Sequence, residues 1–175
     1  MDFKNLKPDF GAISKTEWGK PQVDTTNLIS ILGVAASVLM VVFVFCPWFG
    51  FEFSADARAL LRAHGESTAD VTRSGITLWY GIIGLFAAIV ALFGNLYNNK
   101  PFAFWGGAIG AVMGLFGLFM YASLTRNGDT ESAESIKEMV KEGVGDTIRW
   151  GAILYFVCSL VAAATAFISV NNEKK

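Results

Sequence analysis

Gly106-Gly107-Ala108-Ile109-Gly110-Ala111-Val112-Met113-Gly114-Leu115-Phe116-Gly117 lies inside an uncharged run from Pro101 to Thr125. Gly106, Gly110 and Gly114 recur every four residues, and Gly107, Gly110, Gly114 and Gly117 recur at spacings of three and four. In a helix exposed to water each glycine costs about 1 kcal/mol relative to alanine. In lipid the same residues let a second helix approach closely, and small-xxx-small faces are a common packing device there. Two rows of small residues on one helix predict one row for neighbouring spans and another for a partner protein. Gly110 belongs to both rows, so Gly110→Leu is expected to disturb packing more than Gly94→Leu.

The rest of the chain supports a membrane setting for that helix. Of 175 residues, 53% are hydrophobic and 17% charged, with mean hydropathy +0.46, against about 25% charged in a typical soluble domain. The shortfall is concentrated in four segments of about 20 residues or more, each long enough to span a hydrocarbon core of about 30 Å. Spans are expected at 27–46, 75–97, 102–124 and 148–170, with exposed loops at 47–74 and 125–147 and polar tails at 1–26 and 171–175. Asn98-Asn99-Lys100-Pro101 is too short for anything but a turn between antiparallel neighbours. Gly81 and Gly84 give the second span its own small-residue side. The expected fold is an all-α membrane protein, an antiparallel bundle of four transmembrane helices.

Both long loops carry local structure. Trp48-Phe49-Gly50-Phe51-Glu52-Phe53 alternates aromatic with small or polar residues, as a strand with one apolar face does. A return strand over Thr68 to Thr72 would make an extramembrane β-hairpin or small sheet. Between them Ser54 can cap a short amphipathic helix bearing Ala57, Leu60, Leu61 and His64 on one face, with Gly65 as its stop. In the second loop Asp129 or Thr130 can cap another, from Glu131 to Glu142, ended by Gly143 and Gly145.

Lys and Arg near the span ends divide equally between the two sides, so the positive-inside rule alone does not orient the chain. The lysine in the tiny Asn98–Pro101 turn, the more acidic character of the larger loops and the usual export of larger loops favour cytoplasmic termini, in a plasma or bacterial inner membrane. The long polar leader before the first span, and the length of that span, match an uncleaved tail rather than a cleaved signal.

Little in the sequence points to chemistry. The spans hold no Asp, Glu, Lys or His, and Arg149 stands only at the mouth of the fourth; an ionisable group inside a span is the usual mark of a transport or catalytic site. Their polar groups are Ser30, Ser37, Thr77, Ser159 and Thr165, with the Tyr97, Tyr121 and Tyr155 hydroxyls nearer the ends. The glycines of the third span lack the Lys-Ser/Thr of a phosphate loop. The single histidine, His64, has Asp56, Glu66 and Asp70 nearby in sequence, and a metal or acid–base role would need Glu131, Glu134, Glu138 or Asp146 to converge on it. Cys46 and Cys158 lie at different depths, read as small hydrophobes and match no zinc spacing. No catalytic residue, cofactor or metal is expected. Net charge is −1, which gives no basic field for nucleic acid.

Trp48, followed after the loop by Gly75-Ile76-Thr77-Leu78-Trp79, resembles the claudin and peripheral-myelin-protein class of four-span membrane proteins. That class carries a Trp, then Gly-Leu-Trp, then two cysteines in its first loop. Trp48, Gly75, Leu78 and Trp79 match, whereas the cysteine pair is absent. The resemblance implies a left-handed four-helix bundle topped by a small sheet and acting through lateral and face-on contacts. The expected function is a non-enzymatic scaffold, adhesion or assembly protein, or accessory subunit, partnered by the lipid bilayer and by other membrane proteins or its own copies. The alternative is a small oligomeric channel or carrier lined by Ser, Thr and Gly faces; an enzyme built around His64 ranks third.

Overall fold

The computed structural model describes residues 20–53, 55–65, 71–126, 144–148 and 150–172. In chain order its elements are α1 (Leu28–Phe45), β1 (Pro47–Phe53), α2 (Ala55–Ala63), β2 (Val71–Ser74), a 3₁₀ turn (Gly75–Thr77), α3 (Trp79–Leu96), α4 (Lys100–Arg126), β3 (Val144–Ile148) and α5 (Trp150–Asn172). Helices α1, α3, α4 and α5 are each long and apolar enough to cross a membrane. They close a ring in which α1 and α4 each pack against both α3 and α5.

The helix ends follow from local chemistry. Asn27 caps α1, its Oδ1 accepting from the Ile29 amide at 3.0 Å, and Pro47 ends that helix by forcing the preceding residue into extended backbone. The expected second span shortens, because Gly75–Thr77 wind as a 3₁₀ turn and Leu78 is extended, so α3 starts at Trp79. Asn98 turns the chain in the left-handed region (φ 55°), which asparagine tolerates better than most residues. The Asn99 carboxamide then receives the Phe102 amide at 3.4 Å. Lys100 and Pro101 therefore belong to the first turn of α4, where proline's missing N–H costs nothing. That helix runs beyond the expected 102–124 at both ends.

The expected hairpin is present, with a return strand at Val71–Ser74 that runs past the expected end at 72; residues 68–70 lie outside the described residues. β1 pairs antiparallel with β2, from Pro47 opposite Ser74 to Phe51 opposite Val71. It also pairs antiparallel with β3, from Phe49 opposite Ile148 to Phe53 opposite Val144, giving the order β2-β1-β3. The stretch assigned to the end of the second loop and the start of the fourth span is thus a strand, and α5 begins only at Trp150. Glycines 143 and 145 looked like helix stops, which hid it. The short helix α2 ends at Ala63, and Gly65, with φ +72° and its amide donating to the Arg62 carbonyl (3.1 Å), closes the turn that follows. The tail before residue 20, the Ser54 cap and the helix expected at 131–142 lie outside the described residues.

Inside the ring, Trp48, Tyr155, Met40 and Val44 are fully buried among Ala36, Ala88, Ala91, Ala152 and Ala162. The outer faces expose large apolar side chains such as Phe86 and Phe119, each 65% exposed. The glycines of α4 all face inward. Gly106 lies against Ala87 and Ala91 of α3, Gly107 against Ser159 and Ala163 of α5, and Gly114 against Tyr155 and Phe156 of α5. Gly110 meets the Met40 methyl, and Gly117 meets Tyr80 and Trp48. Both small-residue rows are therefore occupied within the chain, and neither is left for an outside partner. A bundle of this kind has two sides of α4 to fill, one for each adjacent helix, which is why two rows were needed.

Candidate functional site

The two ends of the bundle differ in chemistry. At the sheet end, a bulge between Pro47 and Phe49 breaks the β1–β2 register at Trp48. A bulge re-aims one side chain, and here the indole is fully buried in the helix ring. Its Nε1–H donates to the Phe43 carbonyl at 2.8 Å. Its rings lie 5.1 Å from Tyr155 and 6.0 Å from Tyr80, both tilted, within the favourable range for aromatic pairs. Gly75 makes room for it: a Cβ there would sit 2.7 Å from Trp48 Nε1. The Tyr155 hydroxyl donates to the Gly84 carbonyl at 2.6 Å, tying α5 to α3. Gly81 packs against the Gly75 carbonyl with no space for a side chain. Of the four loop residues singled out in the sequence, Trp48 and Gly75 thus meet. Leu78 packs partly against the same core, and Trp79 turns outward, edge-on to Phe116 at 5.4 Å.

The opposite half is polar. Asn95 is 6% exposed; its Nδ2 donates to Ser37 Oγ (2.9 Å), the Gly33 carbonyl (3.2 Å) and the Ala91 carbonyl (3.1 Å). Ser37 Oγ in turn donates to the Gly33 carbonyl at 2.8 Å. Gly33 lets the group converge, since a Cβ on it would lie 2.7 Å from Asn95 Oδ1 and 3.0 Å from Thr165 Oγ1. Thr165 satisfies its hydroxyl on its own helix, at the Val161 or Ala162 carbonyl. Sequence reasoning counted Ser37 and Thr165 but passed over Asn95. The signal was available: it is an amide within an otherwise apolar span, the residue type that hydrogen-bonds across helices in lipid.

One turn further out, a pocket of about 280 Å³ opens at this end, lined by Gln22, Asp24, Asn27 and Ser30, and by Asn98, Lys100 and Ser169. Ser30 of α1 and Ser169 of α5 stand one helical turn from Gly33 and Thr165, and Asn98 lies in the turn that follows α3. The Gln22 amide donates to the Leu96 carbonyl at 2.8 Å and fastens the approach to α1 onto the end of α3.

His64 is exposed beyond the end of α2; Glu66, Asp70, Glu131, Glu134 and Glu138 lie outside the described residues. Among the described residues no cluster of His, Cys, Asp and Glu could hold a metal ion. Cys46 and Cys158 are free thiols, each half-buried. Comparison with protein-family models, curated sequences and solved structures finds no match for this chain.

Proposed function

We propose that the chain is an integral membrane protein, an antiparallel four-span bundle with cytoplasmic termini, that works by contact as a scaffold, assembly protein or accessory subunit. The observation that carries this is the position of β1. It pairs on one edge with β2 from the first loop and on the other with β3 from the second, so both loops share one sheet. Trp48 roots that sheet in the helix ring through its buried indole. Loops that only connected spans would need neither feature; a platform presented to a partner needs both. The four residues resembling the claudin class support the same reading, since Trp48 and Gly75 form the root.

The test is recovery of partners under mild detergent, combined with cross-linking in native membranes from a cysteine placed at Arg62 on α2. A discrete cross-linked species, another protein or a second copy, is expected. Monomer alone from every position on the sheet end would defeat the reading. The second reading, a small oligomeric channel or carrier, draws on the polar cluster that Asn95, Ser37 and the Gly33 carbonyl form inside the bundle. Flux through liposomes holding an oligomeric fraction, abolished by Asn95→Leu, would favour it over the first.

A further inference from the structure

We propose that the bundle fits a thin bilayer, with a hydrocarbon core of about 27 Å set by the side of the ring that α1 and α3 form. Each of those helices has 18 residues, a length of about 27 Å at a rise of about 1.5 Å per residue. An average core is about 30 Å thick, and that of a sterol-rich membrane reaches about 32–33 Å. The neighbouring α4 and α5 carry apolar windows of 20 and 21 residues, about 30 Å long. A span longer than the core accommodates by tilting, whereas a shorter one draws the bilayer in. The thickness rests on the membrane reading of the chain, and the shorter pair of helices sets it.

Both short helices are stopped at each end. At the polar end Asn27 caps α1, with Asp24, Thr25 and Thr26 exposed before it, and Asn98 turns the chain after α3 in the left-handed region. At the sheet end Cys46 is extended ahead of Pro47, and Leu78 is extended ahead of Trp79. The two helices are also level with each other. The Gln22 amide donates to the Leu96 carbonyl at 2.8 Å, and the Gly75 amide donates to the Cys46 carbonyl at 3.4 Å. The approach to one helix therefore meets the end of the other on both sides of the bundle. Between these limits the outer face is apolar to its edges. Leu28 and Phe45, the first and last residues of α1, are 68% and 57% exposed, and Trp79, the first of α3, is 58% exposed. An indole at that position suits the lipid–water boundary. A thicker core would bring acyl chains against Asp24, Asn27 and Asn98 at one end, or against Arg73 and Thr77 at the other, all of them exposed. Polar groups placed in hydrocarbon without new partners are costly.

The experiment reconstitutes the full chain in vesicles of dimyristoleoyl-, dipalmitoleoyl-, dioleoyl-, dieicosenoyl- or dierucoyl-phosphatidylcholine, a series of increasing thickness. Thermal unfolding is followed in each by tryptophan fluorescence. The midpoint should be highest in one of the three thinner bilayers and lower by about 5 °C in the dierucoyl lipid. Replacing Thr25, Thr26 and Asn27 together by leucine lengthens the apolar face of α1 by about 4–5 Å and should lessen that fall. Leu28→Asn shortens the same face and should steepen it. Each variant is compared with itself across the lipids, so a lost cap does not enter, and the native series stands alone where a variant does not fold. A midpoint highest in the dieicosenoyl or dierucoyl lipid, equal midpoints in every lipid, or a fall that both folded variants leave unchanged would overturn the proposal. Release of the chain from the vesicles by alkaline carbonate would defeat the membrane reading and the thickness with it, whereas retention with a thick optimum would defeat the thickness alone.

Discussion

Adding one methyl group at Gly94 and at Gly110 separates two kinds of close packing, and the structure reverses the order that glycine spacing suggests. A Cβ at Gly94 would lie 2.7 Å from Ala103 Cα and 2.8 Å from the Phe102 carbonyl carbon, and would overlap the Ala103 nitrogen. Carbon–carbon contacts are comfortable at about 3.5–4.0 Å, so α3 and α4 must separate locally by about 1 Å. Overpacking of this sort costs about 1–3 kcal/mol. Backbone atoms cannot swing aside, which puts Gly94→Ala near the upper end, and the better helix propensity of alanine offsets about 1 kcal/mol of it. The net loss is about 2 kcal/mol, about a thirty-fold change in the folded ratio. At Gly110 the nearest atom is the Met40 Cε at 2.6 Å, the far end of a flexible thioether, with Ser159 Oγ at 3.0 Å. Methionine re-adjusts through three rotatable bonds, so Gly110→Ala should stay within about 1 kcal/mol of the native chain after the same propensity gain. Reversible unfolding by SDS in mixed micelles reads both. Gly110→Ala proving the more damaging, or the two falling together, would refute the contact geometry.

Trp48→Ala should cost about 4 kcal/mol, as truncation of a buried aromatic does. Trp48→Phe should cost nearer 1 kcal/mol, because the Phe43 carbonyl keeps its bond from the Cys46 amide at 3.2 Å and only one bond is lost. Tyr155→Phe removes the hydroxyl that joins α5 to the Gly84 carbonyl and should cost about 1 kcal/mol in the same titration. Asn95→Leu should lose about 1 kcal/mol of interhelical hydrogen bonding, and unchanged stability would mean that the Ser37 and Gly33 contacts carry nothing. Arg73→Glu, at an exposed position on β2, should leave stability within about 0.5 kcal/mol yet reduce partner recovery in mild detergent, whereas Phe119→Ala on the outer helix face should leave recovery intact.

The helices were legible because lipid imposes a coarse rule, an uncharged run of sufficient length, and α1, α3, α4 and α5 all obey it. The hairpin was legible because Trp48 to Phe53 alternates. β3 was not, since Val144-Gly145-Asp146-Thr147-Ile148 is short, holds a glycine and an aspartate, and becomes a strand only because β1 offers it an edge. That is tertiary pairing, which no local propensity reports. The packing role of the α4 glycines was legible, but the direction of each row was not, because spacing fixes which residues share a face and not which neighbour that face meets. Asn95 was hidden by its place two residues from the end of the expected span 75–97, whereas the fold sets its amide against Gly33 and Ser37 from a helix more than fifty positions earlier in the chain.

The orientation of the glycine rows bears on how such a bundle could assemble. Helices in lipid gain little by covering apolar side chains, because the lipid is just as apolar; association needs small residues that let backbones meet, or polar groups that bond across. In this chain those devices face inward: Gly33, Gly84, Gly94, Gly106, Gly107 and Gly114 each meet a neighbouring helix, and Asn95 bonds within the ring. The outer surface of the ring exposes Phe86, Phe93, Val112, Phe119, Ile153 and similar large side chains, a face suited to acyl chains. Among the described residues, then, the outer helix faces offer few of these devices to a lateral partner. The sheet differs, because β2 and β3 are its two edges and an edge strand carries backbone donors and acceptors on its outer side. On the assembly reading, contact falls to the sheet end, and the helices hold that end at a fixed height above the membrane.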